Sequence, residues 1–114
     1  MDNKVNLHKA IVHELIEKMG SILPPEEGGV ENQIIIDDEH GHYLLFGVGW
    51  EGNKWFYASF LHIDVKPDGK VWVQHNGIDM DFFEELNEKG IANSDIVLGF
   101  HAQNVRQYTG FAVA

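Results

Sequence analysis

The chain has no cysteine, three prolines and only eight Lys and Arg among its 114 residues. Without thiols it can form no disulfide, no thiolate nucleophile and no cysteine-ligated zinc or iron–sulfur centre, and it suits a reducing compartment. Long apolar runs are missing too. No stretch approaches the roughly 18 residues a spanning helix needs, so no membrane association is expected. Met1-Asp2-Asn3-Lys4 lacks the basic flank and apolar run of a secretory signal, and none is expected. Neither internal repeats nor low-complexity tracts occur.

Cations are scarce. Eight Lys and Arg stand against eighteen Asp and Glu, a formal net charge of −10 with the histidines neutral. A protein that grips DNA gains affinity by placing cations on phosphates and releasing counterions, and a net anion of this size is repelled at long range. Lys4, Lys9, Lys18, Lys54, Lys66, Lys70, Lys89 and Arg106 are scattered singly along the chain. Unaided nucleic-acid binding is therefore disfavoured, and the acidity reads either as a soluble surface or as a face for a basic partner.

What is present is core material. Hydrophobic residues make up 44% of the chain and aromatics 11%, enough for one packed domain over residues 1–114. Asn3 can cap a helix running to about Met19, with Leu7, Ile11, Val12, Leu15, Ile16 and Met19 on one arc and Gly20 ending it. His8 falls inside that arc, which points to burial at a helix–sheet boundary. The segment 21–29, with two prolines and two glycines, reads as a connector.

From Val30 the period changes to two. Strands are expected at Glu31–Asp37, His42–Trp50, Lys54–Lys66 and Lys70–Asn76, with turns at Asp38-Glu39-His40-Gly41, Glu51-Gly52-Asn53 and Pro67-Asp68-Gly69. The last turn sets a register in which Val65 faces Val71, Ile63 faces Val73 and Leu61 faces His75. That places Phe60, His62 and Asp64 beside Trp72, Gln74 and Asn76 on a second, mixed face. Asp79 or Asp81 can cap a second helix with Phe82, Phe83 and Leu86 on its apolar side. Gly90 is suited to its left-handed C-terminal position, with Ile91 folding back on Leu86. Ile96–Phe100 is a short buried element of unassigned type, and Thr109–Val113 is apolar enough to pack on the body. The expected fold is α+β, a four-stranded antiparallel sheet with the helices packed on one face.

Motifs for catalysis are weak. Gly47-Val48-Gly49-Trp50-Glu51-Gly52 matches G-x-G-x-x-G, but a strand follows where a phosphate-binding helix would have to open, so these read as bulge and turn glycines. Asp64-Val65-Lys66, with Asp37 and Asp38 upstream, has the spacing of a Mg²⁺-dependent nuclease, although so short a pattern is weak and Lys66 borders a turn where charge is ordinary. Seven histidines invite a metal. His40-Gly41-His42 beside Asp37-Asp38-Glu39 is the best local cluster, yet it lies in a turn, and spacing alone converges no three ligands, so neither metal nor cofactor is expected. Ser21, Ser59 and Ser94 carry no nucleophile motif.

The blocks Trp50-Glu51-Gly52, His62-Ile63-Asp64-Val65-Lys66, Gly69-Lys70-Val71-Trp72-Val73-Gln74, Asn76-Gly77, Asp95 to His101 and Tyr108 to Val113 resemble the XisI family in order and spacing. That resemblance implies a cytoplasmic, cyanobacterial controlling factor for excision of the fdxN element during heterocyst differentiation. It implies an accessory to a separate recombinase, with XisH, itself similar to a restriction-type nuclease, as its companion. The family supplies no catalytic residue. The expected role is thus non-enzymatic regulation of DNA-element excision through a protein partner, an XisH-like nuclease or a recombinase. Phe60, His62, Asp64, Trp72 and Gln74 are the expected contact face, and His101, Arg106 and Tyr108 are further contact candidates, since aromatics among polar groups are typical of contact surfaces. Packing by the chain's own tail, or a homodimer, would use the same face. An acidic inhibitor of a partner nuclease is one alternative, and a Mg²⁺ nuclease built on Asp64 and Lys66 another.

Overall fold

The first helix runs further than its glycine predicts. In the computed structural model, which describes residues 3–78 and 81–114, α1 spans Asn3–Ile22 with Gly20 inside it. Gly20 is there for closeness and not for termination: a Cβ at this position would press on the Ile34 side chain of the sheet below. Asn3 is itself helical, so it does not stand outside the helix as a cap. The inward arc is as the periodicity requires, with His8, Ile11, Val12, Leu15, Ile16 and Met19 all buried. His8 donates its Nδ1–H to the Gly69 carbonyl at 2.6 Å, which ties the helix to a hairpin turn 61 residues on.

Six strands follow one another in sequence order across one sheet, correcting the four-stranded antiparallel expectation. They are β1 (Glu26–Glu27), β2 (Val30–Asp37), β3 (His42–Glu51), β4 (Lys54–Val65), β5 (Val71–Asn76) and β6 (Ile96–Leu98). The middle four are the expected strands, antiparallel to their neighbours. β1 is a two-residue edge formed within the expected connector. β6 pairs parallel with β5 through Val71–Ile96, Trp72–Val97 and Val73–Leu98, making the sheet mixed. Its three residues are buried, so no alternation marks it as strand. Between β5 and β6 the chain forms α2 (Phe83–Lys89) and a short 3₁₀ turn, Asn93–Asp95. Asp79 lies outside the described residues. Asp81 accepts the Phe83 N–H at 3.1 Å but stands one residue before the N-cap position, which is Phe82, whereas Gly90 takes φ 118° and Ile91 N–H donates to the Leu86 carbonyl, as expected.

Strand register holds near the tight turn and then shifts. Val65 pairs with Val71, Ile63 with Val73 and Asp64 with Trp72, but a bulge leaves Gln74 unpaired, so His62 meets His75 and Leu61 meets Asn76, not His75. A second irregularity, between β3 and β4, leaves Phe60 unpaired, since Leu45 meets Leu61 and Phe46 meets Ser59.

The core forms between the helices and one face of the sheet, where Tyr43, Leu45, Leu61, Ile63, Val65, Val71 and Val73 join the α1 arc, Phe82 and Leu86. The tail closes the β6 edge: Ala112 N–H donates to the Ile96 carbonyl at 2.7 Å, and Phe111 packs on Phe83 with ring centroids 5.0 Å apart. A closing four-residue helix, α3 (Gln103–Arg106), lies in that tail. The tail thus closes the β6 edge, whereas at the other edge β1 pairs only with Val30 and Glu31 of the eight-residue β2. Among the described residues no helix is long and apolar enough to cross a membrane.

Candidate functional site

The other face of the sheet has no helical layer like the one formed by α1 and α2. Strand alternation brings to it Ile35 from β2, Leu44, Phe46, Val48 and Trp50 from β3, and Trp55 and Tyr57 from β4, because paired residues in an antiparallel ladder share a face. The two-residue turn Gly52-Asn53 pairs Glu51 with Lys54 and so Trp50 with Trp55, whose rings meet edge to face at 5.4 Å. Tyr57 meets Phe46 in the same manner at 4.6 Å. These side chains are far from spent in internal packing: Trp50 is 59% exposed, Trp55 52% and Tyr57 68%. The symmetric placing of Trp50 and Trp55 about the turn was the available signal for this aromatic row, which reading residues for chemical motifs passes over.

At the other end of the same face the expected polar group does assemble, with one member missing. Asp64, 6% exposed, is its centre. Its Oδ1 accepts from His42 Nδ1 at 2.8 Å and from His62 Nε2 at 2.9 Å, and its Oδ2 accepts from Gln74 Nε2 at 3.2 Å. Burial pushes the Asp64 carboxyl pKa up, but the imidazole and amide donors outweigh it and hold it below its ordinary value. Trp72 lies beside Asp64, with Arg106 5.0 Å and Lys66 5.7 Å from its ring centroid. Arg106 is fixed there by donating Nε–H to the His101 carbonyl at 3.0 Å. Thus His62, Asp64, Trp72, Gln74, Arg106 and the backbone of His101 come together. Phe60 does not: the bulge turns it to the helix-covered side, where it stacks on Phe56 at 5.8 Å and packs against the core. Tyr108 is 82% exposed and takes no part in the ring contacts of this group.

His42 is the residue that sequence reasoning misplaced, by grouping it with the turn. Register sets it opposite Asp64, so two histidines and a carboxylate converge where spacing alone shows no three-ligand set. Their donor atoms lie within 4.8 Å of one another. The remaining residues of the expected turn cluster go elsewhere: Asp37 binds His40 at 2.9 Å, and Asp38 binds His13 at 2.9 Å and the Tyr43 hydroxyl at 2.9 Å. Asp37, Asp38 and Asp64 therefore do not pool their carboxylates, and a donor set of two imidazoles and one carboxylate suits Mg²⁺ poorly, since Mg²⁺ favours oxygen ligands. Lys66 reaches over Trp72.

Helices α1 and α2 on one side of a six-stranded mixed sheet, and a second side that the tail reaches in part at Trp72, define a small α+β domain of the helix-backed sheet class. The chain matches the family model of the XisI protein over residues 1–113. This protein belongs to the XisI family. Its fold is similar to that of a XisI-like protein from Anabaena variabilis, with 40% identity, a TM-score of 0.83 and coverage of 93% of this chain and 95% of that one. It is also similar to the fdxN element excision controlling factor XisI from Anabaena variabilis, with 28% identity, a TM-score of 0.89 and coverage of 98% of this chain and all of that one (100%). No curated protein matches the chain.

Proposed function

We propose that this protein is an accessory factor in DNA-element excision that acts by binding a protein partner through its open sheet face. One observation carries the reading: the face without a helical layer presents Trp50, Trp55 and Tyr57, each more than half exposed, in a row on a rigid hairpin. Aromatics held this way are the residues that anchor protein interfaces. Similarity to an excision controlling factor supplies the process. Charge supplies the mode, because Lys4, Lys18 and Lys89 are each paired with a carboxylate, of Asp95, Glu85 and Glu14, and the net charge of −10 opposes independent binding to DNA.

The partner implied is the XisH-like protein or a recombinase of the same excision system. Titrating the purified chain with the protein encoded beside it tests this directly. Replacing Trp55 and Tyr57 together by Ala is expected to weaken binding at least about tenfold while leaving the fold intact. Unchanged affinity in the double variant would remove the face from the reading. If light scattering instead shows the isolated chain to be a dimer that the double variant dissociates, the row joins two copies of this chain. A second reading, an acidic surface that occludes a nuclease, rests on Asp81 just before α2 and Glu84, Glu85 and Glu88 along it, which outnumber the neighbouring Lys18 and Lys89. It requires affinity that collapses between low and high salt, whereas aromatic anchoring does not.

A further inference from the structure

We infer that His42, His62 and Asp64 form a binding site for a divalent transition ion of the zinc class. The inference does not rest on the partner reading, since it concerns what the isolated chain binds.

Three observations carry it. The first is the donor set: two imidazole nitrogens and a carboxylate oxygen, within 4.8 Å of one another. Borderline ions such as Zn²⁺ take nitrogen and carboxylate ligands together, whereas Mg²⁺ and Ca²⁺ favour oxygen alone. The second is spacing. The Asp64 oxygen stands 2.8 Å from His42 Nδ1 and 2.9 Å from His62 Nε2. Tetrahedral ligands about 2.1 Å from an ion are about 3.4 Å apart, so each imidazole nitrogen would have to move about half an ångström further from the Asp64 oxygen to admit the ion. In the ion-free protein the two N–H groups satisfy the carboxylate. On binding, the ion takes the lone pairs of those same nitrogens, and each neutral ring carries its proton on the opposite nitrogen.

The third observation is support. All three ligands stand on strands, His62 and Asp64 two apart on β4 and His42 directly opposite Asp64 on β3. Gln74 Nε2 donates to the second carboxylate oxygen at 3.2 Å and so orients Asp64, as the outer partners of metal ligands do. The bulge that frees Gln74 from pairing is what allows it to reach. Gly41, just before His42, is held by its carbonyl accepting the Val65 N–H at 2.8 Å, which fixes the start of β3 against the end of β4. Three protein ligands leave a coordination position open, and His42, with a side chain 50% exposed, stands on the solvent side of the site. Water, or a donor from a molecule bound on this face, would complete the shell.

The test uses the full chain, freed of metal with a chelator and titrated with Zn²⁺ by calorimetry, with Co²⁺ as a spectroscopic substitute and Mg²⁺ as the comparison. One Zn²⁺ per chain, visible ligand-field bands with Co²⁺ and no heat with Mg²⁺ are expected. His42→Ala and His62→Ala should each lower Zn²⁺ affinity at least about tenfold, and Gln74→Ala by less. His40→Ala and His13→Ala, which alter the other imidazole–carboxylate pairs, should leave it unchanged. Stoichiometric binding that survives both His42→Ala and His62→Ala, binding lost in His40→Ala, or no binding at all overturns the proposal. Should His62→Ala fail to fold, His42→Ala decides the question, because that side chain is half-exposed and its loss leaves the core alone.

Discussion

The two faces of this sheet are built from the same strands and have opposite fates. On the helix-covered face Tyr43, Leu61, Ile63, Val71 and Val73 are fully buried, whereas on the other face Trp50, Trp55 and Tyr57 remain more than half exposed. Residue type does not separate them, since both sets are large and apolar. What separates them is whether the chain supplies a covering layer: α1 and α2 cover one side, and on the other only the tail reaches Trp72, through Arg106. A sheet with one satisfied face and one apolar face left to solvent has its stability on the first, and the second is the face through which the proposed partner binding would occur. The polar group around Asp64 lies on the same second face as the aromatic row.

The division is broken or sharpened most strongly by paired truncations. Leu61→Ala, on the covered face, is expected to cost about 2–5 kcal/mol, because it removes buried methyl groups and leaves a cavity beneath α1. Trp55→Ala, on the open face, should stay within about 1 kcal/mol, since it gives up one cross-strand ring contact on an already exposed side chain. Urea unfolding of the two variants measures both. Comparable costs would mean that the open face belongs to the core after all.

How far this arrangement could be read in the sequence follows the same physics. Strand alternation and the Pro67-Asp68-Gly69 turn gave the four central strands and the pairing of Val65 with Val71 and Ile63 with Val73, because both signals are local. Asp64 and His62 were placed together correctly for that reason. Phe60 was not, since a bulge is an extra residue and reverses every assignment of side that depends on counting by twos. β6 is legible in the sequence only as a short buried element of unassigned type, because a three-residue strand buried on both sides has no period to detect, and its parallel partner is remote in the chain. His42 was missed as a neighbour of Asp64 because only register across β3 and β4 joins residues 22 apart. Gly20 misled in the opposite direction: a glycine can end a helix, or it can let the helix approach a sheet, and the letter is the same.

A smaller effect is expected at Gly41, in the turn that joins β2 to β3. Gly41 has φ 75°, and a Cβ there would collide with the Val65 carbonyl oxygen, the neighbour that its own backbone holds in place. Gly41→Ala should cost about 1–3 kcal/mol through the left-handed backbone and the collision together. It should also displace His42 and weaken Zn²⁺ binding, which a purely local strain would leave alone. A variant that loses stability but binds Zn²⁺ as before would separate the turn from the metal ligands.

The smallest effect tests whether the covered face owes anything to charge. His13 of α1 meets Asp38 of the β2–β3 turn at 2.9 Å and Glu17 at 3.2 Å, a polar clasp at the margin of the apolar layer. The hydrogen bond to Asp38 raises the His13 pKa above its ordinary 6.5, and the same bond lowers Asp38 below its ordinary 3.8. A raised histidine value contributes stability that is complete below 6.5 and is lost as pH climbs through the higher folded value. A lowered carboxyl value contributes stability present above 3.8 and lost only as pH falls through its depressed folded value. The clasp is therefore strongest between those limits, and thermal melting should fall slightly between about pH 6 and pH 8. His13→Gln should remove that part of the slope, and added salt should shrink it, because both partners are exposed enough to be screened. If instead the loss of the clasp rivalled Leu61→Ala, the helix would be held to the sheet by charge, and the contrast between a dry, stabilising face and an exposed one would fail.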